Sequence, residues 1–156
     1  MSSRPRESLH RAVDPAVPWT RTRIAFIAIA AVSGLSMLYV GLFQIGWLQR
    51  LACPGFGSGC ESVALAPFAW PFGLADGLLG AAICGVLCAL ALVPRREAGI
   101  AVIGIAAAWL ILNVAGVAHM QKLGAFCFWC TLTAALSVPL FALAAVSARR
   151  QPLQGS

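Results

Sequence analysis

Charge is scarce in this sequence: only 10% of its 156 residues are Asp, Glu, Lys or Arg, where a soluble domain carries about 25%. So little polar surface cannot coat a water-soluble globule. Also missing is any basic stretch interleaved with base-stacking aromatics, so the formal net charge of +6 is not a nucleic-acid footprint. No internal repeat and no low-complexity linker occurs, which leaves one domain as the simplest account. Nor does a small-x-small exit follow the first apolar run, which is longer than a signal-peptide h-region; it reads as a retained span.

What is present is apolar, 60% of the chain, and it gathers in four runs: Ile24 to Trp47, Leu74 to Val93, Gly99 to Val117 and Phe126 to Val146. At ~1.5 Å per residue each reaches about 30 Å, enough for the hydrocarbon layer of a bilayer. Lipid offers no partner to backbone N–H and C=O groups, so the runs are expected to be helices. The expected fold is all-α: an integral membrane four-helix bundle over residues 21–148. A disordered cytoplasmic tail (1–20) precedes it and a cytoplasmic tail (149–156) follows it.

Orientation follows from arginine. Nine basic residues (Arg4, Arg6, Arg11, Arg21, Arg23, Arg95, Arg96, Arg149 and Arg150) fall on one side of the predicted topology. Only Arg50 and Lys122 fall on the other, so both termini are expected in the cytoplasm. The excess positive charge also attracts anionic lipid head groups. Pro94-Arg-Arg-Glu97 is a tight turn, and the outer connection from His119 to Ala125 is also short. The outer loop from Arg50 to Phe72 is long for so small a chain, which suggests a task. It is greasy as well, with Phe56, Phe68, Trp70 and Phe72 among prolines and glycines. Such aromatics anchor chains at the headgroup level; the sharper expectation is a cap lying over the helix ends.

Six cysteines occur. The arginine-derived topology puts Cys53 and Cys60 in the outer loop and Cys127 and Cys130 at the outer end of the last span. Four thiols thus converge on the oxidising face, where disulfides persist. Cys127-Phe-Trp-Cys130 opens a helix, and its spacing puts both sulfurs on one face. The partial positive charge of a helix N-terminus stabilises a Cys127 thiolate. The three glycines between Cys53 and Cys60 suggest a loop that opens, closes and reaches another sulfur. Two such pairs permit a relay by thiol–disulfide exchange. Two static disulfides are the rival that spacing leaves open; a four-cysteine zinc site ranks lower, because disulfide formation competes with it. Cys84 and Cys88 stand among Ala, Leu and Val and read as buried small apolar residues.

These residues together resemble the vitamin K epoxide reductase family. The likeness is carried by the Cys53/Cys60 pair, Cys60-Glu-Ser-Val63, Phe72-Gly-Leu-Ala-Asp-Gly-Leu-Leu-Gly80 and Ala-Phe-Cys127-Phe-Trp-Cys130, in family order over about residues 20–148. The resemblance implies a membrane thiol:quinone oxidoreductase that supports disulfide formation in exported proteins. In it Cys53 meets a thiol partner, Cys60 exchanges with Cys127, and Cys130 faces the quinone, which accepts the electrons. The implied partner is a separate periplasmic (extracytoplasmic) thioredoxin-fold protein, since the chain ends eight residues after Ala148. Ten arginines to one lysine point to a bacterial inner membrane, and so to ubiquinone or menaquinone rather than a vitamin K epoxide. A quinone-epoxide reductase of the same fold and a scaffold with structural disulfides are the alternatives.

Three positions depart from the family pattern. Ala134 stands where the family often has a quinone-holding tyrosine. Leu65 and Ala66 replace a serine or threonine, and Asp76 replaces an asparagine at the quinone carbonyl. An ionised acid at membrane depth costs about 2.5–3.5 kcal/mol, whereas a protonated Asp76 would donate a hydrogen bond to a quinone oxygen. Capping or snorkelling at the helix end is an equally good reading of Asp76. Asn113 is expected to bond between helices, and His119 to be a polar residue at a helix end.

Overall fold

The apolar runs satisfy their backbones internally, as lipid requires. The structure, a computed structural model, describes residues 21–93 and 96–150. Among these are five α-helices and no strand: α1 (Arg21–Gln44), α2 (Gly59–Ala64), α3 (Asp76–Leu92), α4 (Arg96–Leu123) and α5 (Phe128–Arg150). Three of them, α1, α4 and α5, are long and apolar enough to cross a membrane. The fourth expected span is shorter, because Ala75 and Val93 at its two ends are extended and leave α3 with 17 residues, about 25 Å of rise. The expected disordered tail over 1–20, Pro94 and Arg95 of the expected turn, and residues 151–156 lie outside the described residues.

The four longer helices close a ring in which α1 packs on α3 and α5, and α4 packs on α5 and α3. Their shared middle is apolar: Phe26, Ala30, Met37, Leu87, Ala106, Trp109 and Leu140 are all buried. At the α1–α3 crossing two glycines meet. A Cβ on Gly77 would run into the Gly41 backbone, and one on Gly41 would lie 2.7 Å from Leu78. Small residues let helices approach where lipid provides no hydrophobic drive for association.

Two boundaries differ from expectation. The helix expected to end at Val117 runs on to Leu123, since Ala118, Met120, Gln121, Lys122 and Leu123 are all good helix formers. Gly124 (φ +67) then stops it: its N–H donates to Gln121 C=O and the Ala125 N–H to Met120 C=O, the Schellman arrangement. The outer connection therefore shrinks to Gly124–Cys127, and His119 sits inside α4. The long loop, in turn, is a folded cap. It contains α2, which was not foreseen, and 3-10 turns at Pro67–Ala69 and Pro71–Gly73. The cap buries Leu51, Cys60, Val63, Ala64, Ala66 and Ala69.

Candidate functional site

The cap sits at the end of the ring formed by the C-termini of α1 and α4 and the N-termini of α3 and α5. Here a second apolar cluster forms from Val40, Leu51, Cys60, Val63, Ala64, Met120 and Cys127, with Cys53 and Cys130 packed against it. All four cysteines expected to carry the chemistry therefore belong to one neighbourhood. Cys53 and Cys60 are disulfide-bonded, while Cys127 and Cys130 are free thiols. Cys60 and Cys127 have no exposed surface; Cys53 and Cys130 are half-buried.

The approach of the two pairs is set by backbone. Cys127 precedes α5 and its C=O accepts the Thr131 N–H at 2.9 Å, which makes it the N-cap residue. The N-terminal N–H groups of α5 then face sulfur. Phe128 N–H donates to Cys60 Sγ at 3.2 Å, and Cys130 N–H to Cys127 Sγ at 3.3 Å. Gly59 makes this possible, since a Cβ there would strike the Phe126 carbonyl oxygen. Gly55 (φ +78) and Gly57 (φ +56) occupy the left-handed region that favours glycine. All three glycines between Cys53 and Cys60 thus have a local geometric reason, a left-handed φ at Gly55 and Gly57 and a close approach at Gly59.

Three side chains hold the strand of chain that leads into Cys53. The Ala52 N–H donates to Tyr39 Oη at 3.1 Å, and Trp129 Nε1–H donates to Ala52 C=O at 2.7 Å. Tyr39 and Trp129 meet edge to face at 5.2 Å. Glu61 Oε1 accepts the Leu51 N–H at 3.2 Å. The hydrogen bond from the Cys130 thiol holds the Cys127 thiol below the usual cysteine range, helped by the Cys130 and Trp129 backbone N–H groups and opposed by burial and by the charge of Asp76. A thiol so held is a good nucleophile at lower pH and a good leaving group in exchange.

Beside Cys130 lies a cavity of about 260 Å³, near the lower end of small-molecule pockets. Asp76, Trp109, Asn113 and His119 line it together with Cys130, and Phe68 of the cap closes one side. Leu79 and Leu112, both exposed, flank it between α3 and α4. Asp76 is the first residue of α3, and Ala75 rather than Asp76 holds the N-cap position. Asn113 was expected to bond between helices; its Nδ2 instead donates to Trp109 C=O of its own helix at 2.8 Å. His119 Nδ1 bonds Ala115 C=O at 2.8 Å, and its ring lies 5.2 Å from that of Phe68. Cys84 and Cys88 are away from this site, in the apolar middle.

Sequence reasoning missed Gln44, Tyr39 and Gly59. Gln44 is 7% exposed. Its Oε1 accepts the Gly77 N–H at 3.1 Å, and its Nε2, which carries two hydrogens, faces three acceptors, Asp76 Oδ1 at 2.7 Å, Ala64 C=O at 3.1 Å and Ala69 C=O at 3.2 Å, so that one N–H is shared. The available signal was an uncharged amide inside an apolar run, a residue type that bonds between helices in membranes. Tyr39 is the single tyrosine of the chain.

Comparison with protein families gives a match over residues 24–145 to the model described as the Vitamin K epoxide reductase family. Comparison with curated proteins and with solved structures gives no match.

Proposed function

From the premise that the chain belongs to the vitamin K epoxide reductase family, and is a membrane protein of thiol-dependent redox chemistry, we propose that it is a thiol:quinone oxidoreductase. It forms a four-helix bundle in the bacterial inner membrane with both termini cytoplasmic, so that the cap faces the oxidising side. Electrons enter from a thioredoxin-fold partner at half-buried Cys53, breaking the Cys53–Cys60 disulfide. The Cys60 thiolate then attacks Cys127 in a Cys127–Cys130 disulfide and expels Cys130. Cys53 attacks Cys60 and expels Cys127, which restores the outer disulfide and leaves two inner thiols. Re-formation of the Cys127–Cys130 disulfide gives up two electrons and two protons, and a quinone in the cavity takes both to become a quinol. In this scheme an oxidised outer pair beside two inner thiols precedes that last step.

The observation that carries this reading is the Phe128 N–H donated to Cys60 Sγ at 3.2 Å, which ties the outer sulfur to the turn that holds the inner pair. A lipid-soluble acceptor suits a cavity flanked by exposed Leu79 and Leu112. The test uses purified protein in lipid nanodiscs, a reduced thioredoxin-fold donor, and either ubiquinone-1 or menadione, followed by quinol absorbance. Replacing each of the four cysteines by serine should stop turnover. Replacing Cys130 should also trap a Cys60–Cys127 linked form. Turnover that survives loss of Cys60 or Cys127 sinks the relay; a quinone epoxide assayed in parallel decides between the two substrate classes.

A further inference from the structure

The amide of Gln44 is buried with all of its polar capacity in use, and each of its partners has a fixed polarity. Gly77 N–H can only donate, so the atom facing it is Oε1. Ala64 C=O and Ala69 C=O can only accept, so the atom facing them is Nε2. The orientation of this amide is therefore dictated by the backbone around it. An amide nitrogen has no acceptor capacity, so Asp76 Oδ1, 2.7 Å from Nε2, accepts, the two N–H groups being shared among three acceptors. Any proton that Asp76 carries then resides on Oδ2, an oxygen with no side-chain hydrogen bond among the described residues, the carboxyl's further contact being the backbone N–H of Gly77.

We propose that Gln44 is a positioning residue for the cavity: it holds the Asp76 carboxyl with Oδ1 engaged, so that in the protonated acid Oδ2–H is the group that donates a hydrogen bond to the carbonyl oxygen of a quinone. This rests on the quinone reading above and goes beyond it, because Gln44 is not among the residues that line the cavity. The same amide grips the cap at two carbonyls and caps α3, whose own Ala75 supplies no side-chain cap. Cap docking and Asp76 orientation thus share one side chain. Asp76→Asn should keep the site working, since an asparagine with Oδ1 toward Gln44 presents an N–H donor where Oδ2 stood.

The experiment is a double-mutant cycle on the full-length protein in nanodiscs, with Gln44→Leu, Asp76→Ala and both together. KM and kcat for ubiquinone-1 are measured with dithiothreitol as donor. Gln44→Leu should raise KM roughly tenfold with Asp76 present and by less than about twofold in the Asp76→Ala background, because coupled residues are non-additive. In the Asp76→Asn background it should again raise KM. Equal fold-changes with and without the carboxyl mean that Gln44 acts only on the fold and overturn the proposal. A second readout needs no turnover. The Asp76 carboxyl stretch, identified in the infrared as the band lost in Asp76→Asn, should shift in Gln44→Leu. An unmoved band overturns the positioning role even if the variant is too unstable to assay. A shifted band in a protein whose wild type never reduces quinone instead overturns the quinone reading and leaves the Gln44–Asp76 link standing.

Discussion

Cysteine stands in both apolar clusters of this molecule, and its surroundings differ. In the middle of the ring, Cys84 packs among Met37, Leu87, Ala106 and Leu140, on helices whose interior backbone groups bond within their own helix. Under the cap, Cys60 and Cys127 are equally buried, yet the N-terminal N–H groups of α5 are directed at their sulfurs. Burial alone disfavours a thiolate; hydrogen-bond donors beside the buried sulfur offset that cost, as they do at Cys127. Such backbone donors exist only where helices begin and chains turn, so the sulfurs they face stand at the end of the bundle.

This contrast can be broken by experiment. The largest effect is expected from the sulfurs: Cys60→Ser and Cys127→Ser should each lower thiol-driven quinol formation by at least about a thousandfold, since exchange needs the attacked or attacking sulfur itself. Next comes the close approach under the cap. Gly59→Val should slow formation of the Cys60–Cys127 linked form by roughly tenfold to a hundredfold in a Cys130→Ser background, read by gel shift after thiol trapping, because about 1–3 kcal/mol of overpacking is at stake. If the linked form accumulates at the original rate, the backbone contact with Phe126 does not govern approach.

The pH dependence of that linkage separates the effect of the Cys130 donor from simple proximity. Attack on the outer disulfide needs the Cys127 thiolate, whose lowered pKa keeps it populated as pH falls. Cys130→Ala removes the leading stabilising bond, so the acid limb of the linking rate should lie at higher pH than in Cys130→Ser, where a hydroxyl can still donate. Coincident profiles would show that the thiol–thiol bond does not set reactivity. A smaller change is expected for Trp129→Phe, which deletes one hydrogen bond to Ala52 C=O of about 1 kcal/mol; partner-driven turnover should drop about fivefold. Cys84→Ala closes the series. It should leave the quinol rate within about twofold and cost only stability, measured as a lower Tm.

The elements legible in the sequence were those fixed by local chemistry. Apolar run length located α1, α4 and α5 within a few residues at most boundaries, because a backbone in lipid has few alternatives. The convergence of Cys53, Cys60, Cys127 and Cys130 followed from arginine counts and turn positions. Illegible were the features that depend on two distant segments. The continuation of α4 through His119 was hidden because polar residues were read as loop rather than as helix formers. α2 was hidden because six residues carry too little periodicity to register.

By itself, the sequence determined that this chain belongs in lipid, that it is helical, and which cysteines gather at one end, since hydropathy and charge act over short stretches of chain. Only the tertiary structure decided which glycine must be glycine, which N–H groups face sulfur, and that Gln44 joins cap, helix and carboxyl in one amide. Those are matters of a few tenths of an ångström between segments tens of residues apart. No local propensity encodes them, and packing settles them only when the whole ring has closed.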